Sequence, residues 1–286
     1  METFHTLEKE TELRIDVASN DGGHDDLKEE VVTVTLLEGS AECFGAPLAE
    51  RKQYTWGRGA NLAVFTWYGC RLRVQFSRSD SASMVYESKE VNHMLAYINT
   101  HAQLEARRDH AAGVLAKAAQ EGKIDGFGRP YPAFSSLVGG GVGVAGGRPA
   151  ASGPRVLVCG PADRGKSALC TMLVNCAVRL GRAPLFVELD PALGSLGIPG
   201  AVSAAPVDSH TLSVTEGLEH ASSAAFQVWF GATSVDADNA ALYRAQVSRL
   251  ALSVDARLCS DPSLATAGLV INTPGLFAEG GGAGGA

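Results

Sequence analysis

The sequence predicts an α/β domain with a parallel sheet, preceded by a small N-terminal β-sandwich-like domain. Three observations indicate this fold class. Short runs rich in β-branched and aromatic residues, separated by turns, fill residues 4–90. After residue 155, buried apolar runs alternate with helix-compatible segments, and a glycine-rich loop joins the first run to the first helix. We therefore expect a β domain over 1–90, a connecting helix over 91–121, a Gly/Pro-rich linker over 122–153 and an incomplete α/β domain over 154–286.

The composition is that of a globular protein, with 45% hydrophobic and 19% charged residues among 286. A net charge of −7 argues against a broadly basic surface that coats nucleic acid, because such binding depends on lysine and arginine. The six cysteines include no C-x-x-C pair, which indicates reduced thiols and neither a disulfide nor a zinc framework. No apolar signal segment or membrane-length stretch is present, so we expect a soluble intracellular protein.

The N-terminal segment alternates apolar and polar residues. Val31–Leu37, Leu62–Trp67 and Leu72–Phe76 have the composition and the spacing of short strands, which predicts a small sandwich or barrel. From Val91 the apolar period becomes helical. The predicted linker contains a G-x-G-x-x-G sequence at residues 141–146, but neither a strand before it nor a helix after it, so we do not interpret it as a dinucleotide-binding motif.

Residues 160–167 form a complete G-x-x-x-x-G-K-S phosphate-binding loop, called the P-loop below. It lies between a predicted buried strand, Val156–Cys159, and a predicted helix, Ala168–Leu180. In such a loop, main-chain N–H groups and the helix N-terminus bind phosphate. Strand, loop and helix in this order favour nucleoside triphosphate binding over a plain glycine-rich turn. The predicted nucleotide-binding residues of this segment are Gly160, Asp163, Arg164, Gly165, Lys166, Ser167 and Ala168.

Three of these residues have more specific expected roles. Lys166 is predicted to contact the β- and γ-phosphates as a catalytic residue, and the Ser167 hydroxyl to ligate Mg²⁺. Asp163 either positions the nucleotide or only shapes the turn. These roles make the α/β domain a P-loop NTPase domain.

Asp190 ends a second predicted buried strand, Pro184–Asp190. An acid at such a strand end binds Mg²⁺ or accepts a proton from an attacking hydroxyl. The alternative is a surface acid that begins a turn, because Pro191 follows it. We favour a catalytic and Mg²⁺-binding role, since this strand is expected to lie directly beside the P-loop strand.

A predicted helix over 239–258 and a third buried strand over 267–273 complete the alternating pattern. Asn272 and the residues after it stand where ligands bind in open α/β sheets, and they either contact a ligand or form a simple turn. The chain then ends in a low-complexity tail. Because doubly wound NTPases usually have more strands, we expect a chain that is cut short.

Several of these segments carry a resemblance to a known family. Residues 160–167, 175–182, 187–190 and 198–200, together with 10–14, 63–70 and 97–101, resemble the polyribonucleotide 5′-hydroxyl kinase family. The resemblance implies an ATP- and Mg²⁺-dependent P-loop kinase domain in a nuclear subunit of the pre-mRNA cleavage and polyadenylation machinery. It also implies the RNA 5′ end and other subunits of that complex as partners.

The resemblance assigns roles to residues of this sequence. Glu12 corresponds to an N-terminal acid that reads adenine, Asn61 stands where the family has a lysine against the adenine, and Asp190 activates the RNA 5′-hydroxyl. Leu193 replaces a glutamine and Leu276 replaces a tryptophan that helps to hold the RNA end. The family's arginine-bearing lid would lie beyond Ala286, so these departures together predict a chain that binds nucleotide but has little or no RNA kinase activity.

Two hypotheses follow from these matches and departures. The first is an enzyme that transfers the ATP γ-phosphate to an RNA 5′-hydroxyl. The second is a catalytically inactive, nucleotide-loaded scaffold that bridges RNA-processing subunits. A metal-insertion GTPase is a third reading, but the sequence has no convincing Asn-Lys-x-Asp guanine motif.

Overall fold

The computed structural model describes residues 1–18, 31–77, 83–122, 152–210, 213–218, 221 and 225–275. The chain divides into two compact units, of which the first contains Met1–Ile98 and Ser213–Gly217 and the second contains the rest. Most of the predicted linker, its G-x-G-x-x-G sequence, Leu276 and the C-terminal tail lie outside the described residues.

The first unit is built from two antiparallel sheets. Its described strands are β1 (Glu2–Leu7), β2 (Thr11–Asp16), β3 (Val32–Gly39), β4 (Glu42–Cys43), β5 (Ala46–Pro47), β6 (Gln53–Trp56), β7 (Asn61–Thr66), β8 (Cys70–Phe76) and β9 (Met84–Ser88). The strand orders are β1-β8-β3-β6 and β5-β4-β7-β2-β9. Every pairing between neighbouring strands is antiparallel.

One apolar core lies between these two sheets. In β8, the side chains of Cys70, Leu72 and Val74 are buried, whereas Arg71 points to solvent, as expected for a strand with one buried face. Leu13 and Ile15 of β2, in the other sheet, belong to the same buried cluster. The period-two pattern of the sequence thus becomes a β-sandwich, which confirms the predicted class of the N-terminal domain.

A long helix, α1 (Asn92–Gln120), follows β9. Within the second unit, Arg108 of this helix makes buried contacts, and its side chain is 1% exposed. Arg108 Nε donates to the Ala267 carbonyl at 2.8 Å, and its Nη1 donates to Glu105 at 3.2 Å. Glu105 and Asp109 also accept from Arg182. A charged network that runs from the buried Arg108 to the exposed Asp109 therefore holds this helix in place.

His101 of α1 is expected to make the protein sensitive to acid. Burial, with help from the Arg108 charge, lowers the pKa of His101 below its ordinary value of 6.5. The unfolded chain then binds the proton more readily than the folded protein does. Stability from this group is complete above about pH 6.5 and is lost as the pH falls through the lowered folded-state pKa.

We expect the His101→Gln variant to lose less of its free energy of unfolding than the wild type when the pH is lowered from about 7 to about 5. Urea titrations at several pH values measure this difference. His110→Gln is the matched control, because His110 is an exposed histidine of the same helix. Parallel pH curves for wild type and His101→Gln would contradict the prediction.

The second unit is a sheet with helices on both faces. After α1, its described elements are β10 (Arg155–Val158), α2 (Lys166–Arg179), β11 (Leu185–Glu188), β12 (Ala201–Pro206), β13 (Phe226–Trp229), α3 (Ala240–Ser260), α4 (Pro262–Ala267) and β14 (Leu269–Asn272). The strand order is β10-β14-β11-β12-β13. No helix in the described part of the chain is long and apolar enough to cross a membrane.

Consecutive residues of the central strands face opposite sides of this sheet. Phe186 packs in the cluster that α2 covers, whereas Leu185 and Val187 pack in the cluster that α3 and α4 cover. Such strands, buried on both faces, appear in the sequence as continuous apolar runs. The arrangement confirms the predicted α/β fold class.

Two features of the sheet differ from the sequence analysis. β10, β14 and β11 are parallel, but β12 and β13 pair antiparallel and make the sheet mixed. The alanine-rich Ala201–Pro206 segment has low strand propensity, so the sequence pattern did not reveal it. In addition, β14 lies between β10 and β11, so the expectation that the Asp190 strand directly neighbours the P-loop strand was wrong.

Candidate functional site

The P-loop connects β10 to the first turn of α2. Gly165 caps α2 with φ 76°, a left-handed conformation that glycine adopts without steric cost. Residues 161–165 are exposed, Gly160, Lys166 and Ala168 are half-buried, and Ser167 is exposed. The loop therefore presents its main chain to solvent at a helix N-terminus, which is the arrangement that binds anions.

The Lys166 ammonium lies over this loop. Its Nζ donates to the Pro161 carbonyl at 2.7 Å. An ammonium group has three N–H donors, so two remain for a further acceptor. A positive charge held across the mouth of the loop is suited to bind the phosphates of a nucleotide.

Three polar side chains from different elements meet beside Ser167, at the carboxyl edge of the sheet. Asn272, at the end of β14, donates from Nδ2 to Ser167 Oγ at 3.2 Å and to the two carboxylate oxygens of Glu188 at 3.0 and 3.1 Å. The Cys170 thiol lies 3.9 Å from Asn272 Oδ1, where it can donate. Topology causes this meeting, because β14 lies between β10 and β11.

Glu188 has further partners in the loop after β11. It accepts from the Asp190 main-chain N–H at 2.9 Å and from the Ser195 hydroxyl at 2.9 Å. The side chain is 1% exposed, and this burial raises the pKa of Glu188 above its ordinary value. The several donors around it oppose that rise. A carboxylate that is so enclosed organises its neighbours and does not contact a substrate.

The Asp190 carboxylate, by contrast, is half-buried. Its Oδ1 accepts from the Ala192 main-chain N–H at 3.0 Å. Within the described part of the chain, no hydrogen bond or ion pair involves its other oxygen, Oδ2. One oxygen thus orients the side chain while the other is available to a cation or a proton.

The residues present fit a magnesium–nucleotide complex better than a metal held by protein alone. Among the described residues, no group of three or more His, Cys, Asp and Glu side chains could hold a metal ion. Mg²⁺ commonly binds through one or two protein oxygens together with substrate phosphates and waters. Ser167 and Asp190 are the side chains that would supply those protein oxygens.

The two predicted adenine contacts lie in the first unit. Glu12 is 3% exposed, and its Oε1 accepts from Arg14 Nε at 2.5 Å. The His93 ring lies 3.5 Å from its other oxygen. Asn61 is exposed and lies opposite Asp16, which comes four residues after Glu12 in β2. Asn61 and Glu12 are therefore about 13 Å apart along the strands, at about 3.3 Å per residue. A single ligand would have to span this distance to contact both.

The sequence analysis did not predict Glu188 as a site residue. For Asn272 it gave two alternatives, a ligand contact or a simple turn. Glu188 is a single acid within a strand whose four residues are all buried. Such a group requires polar partners, and this requirement is the signal that could have identified it.

Comparison with known proteins places this geometry in a family. Residues 160–283 match the family described as the mRNA cleavage and polyadenylation factor CLP1 P-loop. Residues 6–111 match the N-terminal beta-sandwich domain of polyadenylation factor. The two matches have the same order as the two units, and together they include most of the chain.

Individual relatives agree with these matches. The polyribonucleotide 5′-hydroxyl-kinase Clp1 of Gallus gallus is 35% identical over 269 residues, which are 94% of this chain and 51% of that protein. The same enzyme of Xenopus tropicalis is 36% identical over 273 residues, or 96% of this chain and 50% of that protein. The chain thus spans about half the length of the curated relatives that it matches.

A solved structure supports the fold. The wild-type Clp1p–Pcf11p complex contains a chain that aligns with a TM-score of 0.68 and 21% identity, over 96% of this chain and 54% of that one. Because both family domains match in order, and because the β-sandwich and P-loop units are both present, this chain belongs to the family of the mRNA cleavage and polyadenylation factor CLP1.

Proposed function

We propose that this chain binds Mg·ATP at the P-loop and acts as the ATP-binding part of a polyribonucleotide 5′-hydroxyl kinase. The observation that carries the proposal is the polar cluster at the carboxyl edge of the sheet, where Ser167, Asn272 and Glu188 meet beside the P-loop. The relatives are named polyribonucleotide 5′-hydroxyl-kinases, and we take the proposed reaction from that name.

In this proposal the residues of the chain have distinct roles. The main chain of residues 160–168 and the Lys166 ammonium bind and orient the triphosphate. Ser167 would hold a magnesium ion directly and Asp190 would hold it through a water, and the ion would supply positive charge beside the phosphates. Asp190, with its free oxygen, accepts the proton of the attacking RNA 5′-hydroxyl.

Binding of the adenine by Glu12 and Asn61 stays a prediction. Arg14 already occupies one oxygen of Glu12, so an exocyclic amine would have to use the other oxygen or displace the arginine. Asn61 is exposed and lacks a cationic stem to lie over the ring.

We further propose that the protein acts in the nucleus as a subunit of the pre-mRNA 3′-end cleavage and polyadenylation machinery. The matched family descriptions name that machinery. A related Clp1p chain forms a complex with Pcf11p, which makes a similar subunit the expected kind of protein partner. The RNA 5′ end is the expected nucleic-acid partner.

Phosphoryl transfer is tested directly. Under the kinase hypothesis, purified protein, γ-radiolabelled ATP and a 5′-hydroxyl oligoribonucleotide give labelled RNA, and Asp190→Asn lowers the rate by about a hundredfold or more, because the amide is not a base. Asp238→Asn, a change at an exposed acid of the same unit, is the control. Labelling by Asp190→Asn at the wild-type rate would exclude Asp190 as the base.

The second candidate function is an inactive, nucleotide-loaded scaffold. Leu193 favours it, because this side chain is 46% exposed in the loop after β11, where the family has a polar glutamine. ATP binding without any labelling of RNA by the wild type would support the scaffold and reject the kinase.

A further inference from the structure

An unbroken series of hydrogen bonds joins the Ser167 side chain to the Asp190 main chain, and these are the two residues that we assign to magnesium. Ser167 Oγ accepts from Asn272 Nδ2 at 3.2 Å, and the same nitrogen donates to Glu188 Oε1 at 3.0 Å. That carboxylate oxygen also accepts from the Asp190 main-chain N–H at 2.9 Å. The series connects the first turn of α2, the end of β14 and the loop after β11.

The middle of this series is fully enclosed by protein. Asn272 is 0% exposed and Glu188 is 1% exposed. Hydrogen bonds are stronger in such surroundings, and a buried polar group that loses its partner is costly. Turning either side chain away would break the buried hydrogen bonds between Asn272 and Glu188, so this geometry is favoured.

Chemistry also determines which way the Asn272 amide faces. The nitrogen of the Asn272 amide faces both carboxylate oxygens of Glu188, and the Cys170 thiol on the other side can donate to the amide oxygen. The nitrogen consequently donates to Ser167 Oγ. This donation occupies one acceptor position of the hydroxyl oxygen and leaves the other for a cation.

We propose that Asn272 and Glu188 are positioning residues that hold the Ser167 hydroxyl and the Asp190 main chain in one geometry for Mg·ATP. The inference rests on the proposed binding of Mg·ATP at the P-loop. Neither residue contacts the nucleotide; Asn272 acts through Ser167, and Glu188 acts through Asn272 and Asp190.

A double-mutant cycle on the full chain tests this inference. The dissociation constant of ATP is measured by calorimetry in excess Mg²⁺ and again in EDTA. We expect Ser167→Ala to weaken binding about tenfold and Asn272→Leu about fivefold with Mg²⁺, and both variants to bind like the wild type in EDTA. The combined variant should bind no more than about twofold more weakly than Ser167→Ala, because Asn272 then has no hydroxyl to orient.

The outcomes separate the inference from the function on which it rests. Additive losses, about fiftyfold in the combined variant, would overturn the positioning role, and so would equal losses with Mg²⁺ and with EDTA. If Asn272→Leu does not fold, the cycle is run with Glu188→Met and Asn272→Leu together, which leaves no unpaired carboxylate. A wild-type protein that binds no ATP would instead overturn the proposed function, and the inference with it.

Discussion

Replacing Lys166 with alanine is expected to abolish the thermal stabilisation that Mg·ATP gives to this protein. The ammonium lies across the P-loop, where it donates to the Pro161 carbonyl and keeps two further donors for phosphate oxygens. Hydrogen bonds to charged groups contribute about 1.5–3 kcal/mol each, so the loss of two corresponds to a loss in affinity of about a hundredfold or more.

A thermal-shift assay with and without Mg·ATP measures this effect. Lys117→Ala is the matched control, because Lys117 is an exposed lysine on α1 of the same unit and should leave the ATP-induced shift unchanged. The melting temperature of Lys166→Ala without nucleotide shows whether the variant is folded. A full ATP-induced shift in folded Lys166→Ala would place the nucleotide elsewhere than the P-loop.

Gly268→Ala is expected to destabilise the second unit strongly. Gly268 has φ 77° and ψ −163°, a region that only glycine occupies readily. A Cβ at this position would lie 2.1 Å from the Pro154 carbonyl oxygen. The backbone cannot easily move away, because Leu185 N–H donates to the Gly268 carbonyl and Leu269 N–H donates to the Pro154 carbonyl. Backbone strain and overpacking together should lower the free energy of unfolding by about 3 kcal/mol or more.

Urea denaturation compares this variant with Gly113→Ala. Gly113 lies in the middle of α1, and a Cβ there would meet no atom within 4 Å. Because alanine favours a helix over glycine, Gly113→Ala should raise the free energy of unfolding by about 0.5–1 kcal/mol. A Gly268→Ala protein within about 1 kcal/mol of the wild type would show that the start of β14 can move away from Pro154.

Local patterns determined much of this protein from the sequence. The alternation in β8 and the continuous apolar runs of β11 and β14 each follow from which faces of a strand are buried, and that information is contained in a few consecutive residues. The prediction of a buried strand over Val156–Cys159 was wrong in its burial, because β10 is an edge strand whose Leu157 is 58% exposed. The P-loop is also local, since its glycines, Lys166 and Ser167 are adjacent in the chain. The fold class and the P-loop segment were therefore predictable.

Tertiary structure alone decided which polar residues meet. Strand order is set by how whole elements pack, so the position of β14 between β10 and β11 cannot be obtained from any short segment. That position brings Asn272 between Ser167 and Glu188, residues 105 and 84 positions away in sequence. Glu188 appears in the sequence as one acid in an apolar strand, and only its burial among donors from β14 and from the loop after β11 gives it a role.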